Sequence, residues 1–124
     1  MNVRIDHVHL RSRDAIKAAQ FYIDVFGATE TGRVGAPEVS RMILDLGGLT
    51  VFIEHAPSLP PGATPQHLGL EHIGLRVENI EAAVADLARR GISLVSGITD
   101  LGPHLRIAFL DGPDNVRIEL LQRS

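Results

Sequence analysis

Apolar and polar residues alternate in two short stretches of the chain, and each stretch is followed by one with helical spacing. Residues 3–11 and 70–77 are rich in β-branched and aliphatic side chains that alternate with polar ones, which predicts two strands. Residues 14–26 and 80–90 carry apolar side chains every three or four positions, which predicts two helices. Each half of the chain is therefore expected to begin with a strand and a helix.

Each predicted helix has recognisable ends and is followed by strand-like segments. Gly27 and Gly91 follow the helices, where a left-handed backbone is favoured, and Asn79 suits the N-cap of the second helix. A short strand is predicted after each helix, at 28–32 and 92–96. Two more strands then follow in each half, joined by the turns LGGL (46–49) and DGPDN (111–115). The predicted order of elements is βαβββ, twice.

The two halves also match residue by residue at a shift of 65 positions. IDHVHLR (5–11) aligns with LEHIGLR (70–76), and RMILDLGGLTVFIE (41–54) aligns with RIAFLDGPDNVRIE (106–119). The identical pairs include His7 and His72, Arg11 and Arg76, Arg41 and Arg106, Gly47 and Gly112, and Glu54 and Glu119. Because one shift serves both ends of both halves, we interpret the chain as an internal duplication.

This duplication predicts an α+β domain over residues 1–124 built from tandem βαβββ modules. The first module is expected at 1–55 and the second at 69–124, with a proline-rich linker at 56–68. Four strands with helices on one face leave the other face open. We therefore expect a curved, cup-like mixed sheet with the helices on the outside and a ligand on the inner face.

Composition narrows the classes of function. The chain has 124 residues, 44% of them hydrophobic, and a net charge of −3, which argues against a nucleic-acid-binding protein. No apolar run is long enough to cross a bilayer, and the N-terminus lacks the apolar segment of a signal peptide. We therefore expect no membrane partner and a cytoplasmic location. With no cysteine, any metal ion must be held by His, Asp, Glu or water.

The repeat pairs one histidine with one glutamate in each half. His7 and His72 lie on the predicted first strands, and Glu54 and Glu119 lie on the predicted last strands. Two imidazoles and two carboxylates form a nitrogen and oxygen ligand set that suits Ni²⁺, Zn²⁺, Co²⁺, Mn²⁺ or Fe²⁺. A carboxylate flanked by apolar residues, as in the IELL segment, is costly to bury without a cation beside it. These four residues are the predicted metal ligands.

Four segments of the chain together resemble the vicinal oxygen chelate superfamily, also called the glyoxalase, bleomycin resistance and dioxygenase fold. They are DHVHLR, FYIDVFGA, LEHIGLRVENIEAAVADLARRGI and IAFLDGPDNVRIELLQ. The resemblance covers nearly the whole chain and implies the same four metal positions, His7, Glu54, His72 and Glu119. Within the superfamily, this ligand set is most similar to that of glyoxalase I. The resemblance also implies that short chains of this kind pair as homodimers.

The resemblance further implies a metal-assisted proton transfer on a small-molecule substrate that chelates the ion through two neighbouring oxygens. Glu119 or Glu54 would be the general base, with Glu119 favoured. Arg11 fits a residue that holds glutathione in glyoxalase I, whereas Ser58 departs from the Asn expected there. His9 shares the predicted strand face of His7, about 7 Å away, and is a second candidate substrate contact.

Three functions are consistent with these residues. The first is a metal-dependent lyase or isomerase like glyoxalase I, and the second is an enzyme like methylmalonyl-CoA epimerase, which typically has Gln in place of Glu54. The third is a metal-free ligand-binding protein of the bleomycin-resistance type; an oxygen-using dioxygenase fits less well, because the chain is short and carries more carboxylates than such a site uses. An aromatic content of 4% disfavours the third, because a drug-binding cleft of that type relies on stacking.

Overall fold

A computed structural model describes residues 1–2, 4–60, 68 and 70–124. The chain forms two compact units, Met1–Pro61 and Gly62–Ser124, with the same order of elements in each. The first unit contains β1 (Val8–Ser12), α1 (Ala15–Phe26), β2 (Thr29–Val34), β3 (Arg41–Leu46) and β4 (Leu49–His55). The second unit contains β5 (Ile73–Arg76), α2 (Ile80–Arg89), β6 (Leu94–Asp100), β7 (Leu105–Asp111), a 3₁₀ turn (Pro113–Asn115) and β8 (Arg117–Arg123).

Each unit contains one four-stranded mixed sheet. The strand order is β1-β4-β3-β2 in the first unit and β5-β8-β7-β6 in the second. The first and last strands of each unit, β1 with β4 and β5 with β8, run parallel, and the other neighbours run antiparallel. The predicted α+β class and the tandem βαβββ order are therefore confirmed.

The helices begin and end where their capping residues lie. The Asp14 side chain accepts a hydrogen bond from the Lys17 N–H, and the Asn79 side chain accepts one from the Ala82 N–H. Helix α1 ends at Gly27, whose φ of 71° is the left-handed conformation that glycine adopts without strain. None of the described helices is long and apolar enough to span a bilayer.

The core of each unit lies between its helix and one face of its sheet. Helix α1 buries Ala15, Ala18, Ala19 and Tyr22, and α2 buries Ile80 and Leu87. The sheet residues that face the helices alternate with exposed or half-buried ones, as expected of strands with a single buried face. The buried sheet residues include Met42, Leu44, Val51 and Ile53 in the first unit and Ala108, Leu110, Ile118 and Leu120 in the second.

Two predicted strand boundaries are wrong. The first strand of each half was expected to contain its histidine, but β1 begins at Val8 and β5 begins at Ile73, so His7 and His72 immediately precede the strands. Ile5 and Leu70 are 77% and 65% exposed, so the apolar residues that suggested longer strands are not held by packing. The predicted strand start at position 3 and most of the predicted linker (61–67), with position 69, lie outside the described residues.

The single shift of 65 positions holds only for the first strand and helix of each module. The N-caps Asp14 and Asn79 are 65 positions apart. The first helical N–H of α1 is accepted by His55 Nδ1 at 3.2 Å, and that of α2 is accepted by Gln122 Oε1 at 2.7 Å. Because His55 and Gln122 do the same task and are 67 positions apart, the last strands are related by a shift of 67.

Strand pairing gives the same result. Arg11 is level with Glu54, and its counterpart Arg76 is level with Leu121, so Leu121 and not Glu119 corresponds to Glu54. The loop between β7 and β8 is longer than the loop between β3 and β4, which accounts for part of the difference between the shifts of 65 and 67. The predicted equivalences of Glu54 with Glu119 and of Arg41 with Arg106 are therefore wrong.

Replacing His55 or Gln122 tests whether the two side chains have the same role at the N-terminus of their helix. We expect His55→Ala and Gln122→Ala each to lower the free energy of unfolding by about 1 kcal/mol, because each leaves a helical N–H without its acceptor. Chemical denaturation measures the effect, with the exposed His104→Ala as the matched control. Parent-like stability for both variants would contradict the shared role of the two residues.

Candidate functional site

The candidate site residues lie on the sheet face that the helix of each unit leaves uncovered. On β4, Val51 and Ile53 are buried beneath α1, so Phe52 and Glu54 lie on the opposite face. On β8, Ile118 and Leu120 are buried, and Glu119 lies on the opposite face. The period-two alternation of the strands is therefore what places a carboxylate on the open face of each sheet.

In the first unit, Glu54 is held by two basic residues of β1. Its Oε1 accepts a hydrogen bond from His9 Nε2 at 2.9 Å, and its Oε2 lies 3.5 Å from Arg11 Nε. The hydrogen bond with His9, followed by the charge of Arg11, lowers the pKa of the Glu54 carboxyl below its ordinary value. Both oxygens of this carboxylate are thus engaged within the unit.

His7 has different partners. Its ring stacks on Phe52 with centroids 4.1 Å apart, and its Nδ1 lies 2.6 Å from Asp6 Oδ2. The structure therefore brings Glu54 together with His9 and Arg11, and it does not bring Glu54 within ion-pair distance of His7. The sequence placed His9 and Arg11 near the site but did not identify them as the partners of this carboxylate.

Arg41 is a site residue that the sequence analysis did not single out. It lies directly opposite Glu54 across the β3–β4 pair, yet its Cζ lies 4.7 Å from the centre of the Phe52 ring. Its Nε is buried and has no acceptor among the described residues. An unpaired buried donor normally has a water or ligand as its partner. The sequence could have pointed to Arg41, because it begins a strand in which Met42 and Leu44 are apolar and alternate with the residues on the face of Arg41.

In the second unit, one imidazole lies between two carboxylates. His72 Nε2 is 2.7 Å from Glu119 Oε2, and His72 Nδ1 contacts the Glu71 carboxylate. The Glu119 side chain is 16% exposed, against 39% for Glu54. Phe109 lies directly opposite Glu119 on β7 and meets the His72 ring edge-on at 5.5 Å. Glu71, like Arg41, was not predicted as a site residue.

Gly74 lies beside Glu119, and the side chain of Leu121 packs close to it. It is level with Glu119 in the β5–β8 pair, and a Cβ at this position would lie 3.9 Å from Glu119 Oε2 and 3.2 Å from Leu121 Cδ2. In the first unit the residue level with Glu54 is Arg11, whose guanidinium occupies the corresponding side of the carboxylate. Glu119 therefore lies beside a residue without a side chain, whereas Glu54 lies beside a guanidinium.

The charged groups near Glu54 and Glu119 are paired differently. In the first unit, His9 and Arg11 share one carboxylate, and Arg41 has no ion-pair partner among the described residues. In the second unit, Glu71 and Glu119 share one imidazole. An imidazole nitrogen and a carboxylate oxygen that converge at 2.7 Å suit a divalent cation of the zinc or manganese kind. In the described part of the chain, no three His, Asp or Glu side chains converge in a metal-binding arrangement.

The chain belongs to the Glyoxalase/Bleomycin resistance protein/Dioxygenase superfamily, whose family model matches residues 4–120. Among curated relatives it is similar to the mitochondrial methylmalonyl-CoA epimerase of Mus musculus, with 33% identity over 96% of this chain and 72% of that protein. It is also similar to the lactoylglutathione lyase of Schizosaccharomyces pombe, with 29% identity over 98% of this chain and 48% of that protein.

Solved structures share the fold. A structure of a variant of the fosfomycin resistance protein FosX from Listeria monocytogenes, complexed with Mn(II) and 1S,2S-dihydroxypropylphosphonic acid, matches with a TM-score of 0.77. The match covers 100% of this chain and 95% of that chain at 17% identity. The expected membership of this superfamily is therefore confirmed, and the predicted metal ligands and substrate contacts remain predictions.

The contact between His9 and Glu54 can be tested by titration. We expect His9→Ala to raise the pKa of the Glu54 carboxyl toward its ordinary value, because the hydrogen bond that favours the charged form is lost. Carbon-13 NMR of the Glu54 side chain across a pH series, in protein kept free of metal, measures the change. His7→Ala is the matched control and should leave this pKa unchanged. A change with His7→Ala alone would contradict the observed pairing.

Proposed function

We propose that this protein is a metal-dependent enzyme that moves a proton on the carbon next to a substrate carbonyl. The observation that carries the proposal is the convergence of His72 Nε2 and Glu119 Oε2 on the open face of the second sheet. The similarity to methylmalonyl-CoA epimerase over 96% of the chain supports an isomerase of an acidic acyl thioester as the first candidate. The Mn(II) in the related FosX structure supports a divalent ion as the cofactor.

The residues around His72 suit a metal ligand. Its Nδ1 contacts the Glu71 carboxylate, which fixes the orientation of the ring and leaves Nε2 directed toward Glu119. A histidine that ligates a metal ion through one nitrogen typically donates from the other to a carboxylate or carbonyl. A bound divalent ion would supply Lewis acidity that makes the neighbouring carbon–hydrogen bond more acidic.

Glu119 is the proposed proton acceptor. Its carboxylate is less exposed than that of Glu54, and the residue level with it, Gly74, brings no charged side chain against it. Phe109 lies directly opposite Glu119 and adds apolar surface next to it, which limits access of water to a proton held on the carboxylate. Because these features are absent at Glu54, which is held by His9 and Arg11, Glu119 is better placed for general base catalysis.

A lyase like glyoxalase I is the second candidate. It is favoured by Arg11, which is 65% exposed beside Glu54 and can contact an acidic substrate such as a glutathione adduct. The similarity to lactoylglutathione lyase at 29% identity supports it, although this chain spans about half of that protein. For both candidates we also propose a homodimer in the cytoplasm, as the sequence analysis predicts.

Exchange of a substrate proton with solvent tests the proposal and separates the candidates. In deuterium oxide, with Mn²⁺, Ni²⁺ or Zn²⁺ added, we expect deuterium to enter methylmalonyl-CoA, or to enter the lactoyl thioester formed from the methylglyoxal–glutathione hemithioacetal. Proton NMR follows the incorporation. Glu119→Gln should lower the rate by about 10²- to 10⁴-fold, because the variant cannot accept the proton.

The control for this experiment is Glu78→Gln, which changes an exposed carboxylate that precedes α2 and should retain the parent rate. Exchange in the epimerase substrate alone would select the first candidate, and exchange in the hemithioacetal alone would select the second. If metal neither binds nor promotes exchange in either substrate, the proposal is wrong, and a metal-free ligand-binding protein becomes the better interpretation.

A further inference from the structure

We infer that the open face of the first sheet holds a binding site for a small carboxylate, in which the Arg41 guanidinium pairs with the carboxylate and Phe52 supplies apolar surface beside it. This site lies within the first unit alone and needs no metal ion, so it is independent of the proposed catalytic function. Its expected ligand is a carboxylate joined to an apolar or aromatic group.

The alternation along β3 and its strand pairing place the residues of this site. Met42 is buried against the helix side, so Arg41 and Ile43 lie on the open face. Ile43 is level with Phe52 on β4, and both are half-buried. Arg41 is level with Glu54, one row further along the same face. A short apolar row and a charged row therefore adjoin on one side of the sheet.

The Arg41 guanidinium has no acceptor among the described residues. Its Nε is buried without a hydrogen-bond partner, and its Cζ lies 4.7 Å from the centre of the Phe52 ring. The carboxylate level with it, that of Glu54, is held by His9 at 2.9 Å and Arg11 at 3.5 Å. Both of these residues belong to β1, which lies on the other side of β4 from β3. A shielded cation without a counter-charge is costly, and a bound anion would remove that cost.

The next arginine on the neighbouring strand shows the contrast. Arg33 on β2 forms two hydrogen bonds with the Glu30 carboxylate, at 2.9 Å and 3.0 Å. This pair is exposed and is complete within the unit. Arg41 is more shielded than Arg33 and lacks such a partner in the described part of the chain. Shielding without pairing is what distinguishes an arginine that receives a ligand from one that only solvates the surface.

The surroundings of Arg41 favour a carboxylate with an apolar group attached. One guanidinium matches the single charge and the planar, two-oxygen geometry of a carboxylate. The contact with the Phe52 ring restrains the guanidinium, so less side-chain freedom is lost when an anion binds. Phe52 and Ile43 offer apolar contact to the group that carries the carboxylate. Inorganic phosphate or a neutral aromatic compound would find a partner for only one of its properties.

Titration of benzoate into the metal-free protein tests this site. We expect saturable binding, observed by nitrogen-15 NMR as a shift of the Arg41 side-chain Nε–H resonance. Benzamide has the ring without the charge, and acetate has the charge without the ring. At constant ionic strength each should bind at least about threefold more weakly than benzoate, because each lacks one of the two contacts.

Substitutions separate the guanidinium from the general charge of the surface. Arg41→Gln should weaken benzoate binding by about tenfold or more, and Arg41→Lys, which keeps the charge but not the planar fork, by about threefold. Arg33→Gln removes the same charge from the neighbouring strand and should change the affinity by less than about twofold. The backbone amide resonances of Ile43 and Phe52 report binding in the variants, and circular dichroism verifies their folding.

The parent protein alone can overturn the inference. No saturable shift of the Arg41 Nε–H resonance would do so, whatever the variants show, and so would benzamide or inorganic phosphate binding as tightly as benzoate. Equal effects of Arg41→Gln and Arg33→Gln would also contradict the site, because attraction by net charge would then account for binding. Since metal and substrate are absent throughout, none of these results decides the proposed catalytic function, which the exchange experiment tests separately.

Discussion

The parallel pairing of the first and last strands in each module is the constraint on which the site depends. A parallel ladder fixes which residue of one strand is level with which residue of the other, and side chains on the same face then meet their neighbours by register alone. In the first module this register puts Arg11 level with Glu54, and in the second it puts Gly74 level with Glu119. Because of this difference, one carboxylate lies beside a guanidinium and the other beside a residue without a side chain.

The elements and their order could be predicted from the sequence because their signals are local. Apolar spacing separates helices from strands, Asn79 and Gly27 mark helix ends, and each of these features depends on a few neighbouring residues. Strand ends were less predictable, since the exposed Ile5 and Leu70 have the composition of strand residues but lack a buried position. Membership of the superfamily, which rests on segments along most of the chain, was also predictable.

The register could not be predicted, for a physical reason. A strand with one buried face repeats its apolar pattern every two residues, so a shift of two leaves the pattern unchanged and every side chain on the same face. Glu54 and Glu119 therefore align well in sequence, on the correct face, although they are two residues apart in structural terms. What distinguishes the alternatives is a long-range contact, the acceptance of a helix N–H by His55 or Gln122, and neither residue type is a common helix cap.

The two modules have the same order of strands and helix, but the charged side chains on their open sheet faces differ. In the second module one imidazole lies between Glu71 and Glu119, and a cation is the natural counterpart of two carboxylates that share one ring. In the first module one carboxylate lies between His9 and Arg11, and Arg41 has no ion-pair partner among the described residues, so an anion is the natural counterpart of this cluster.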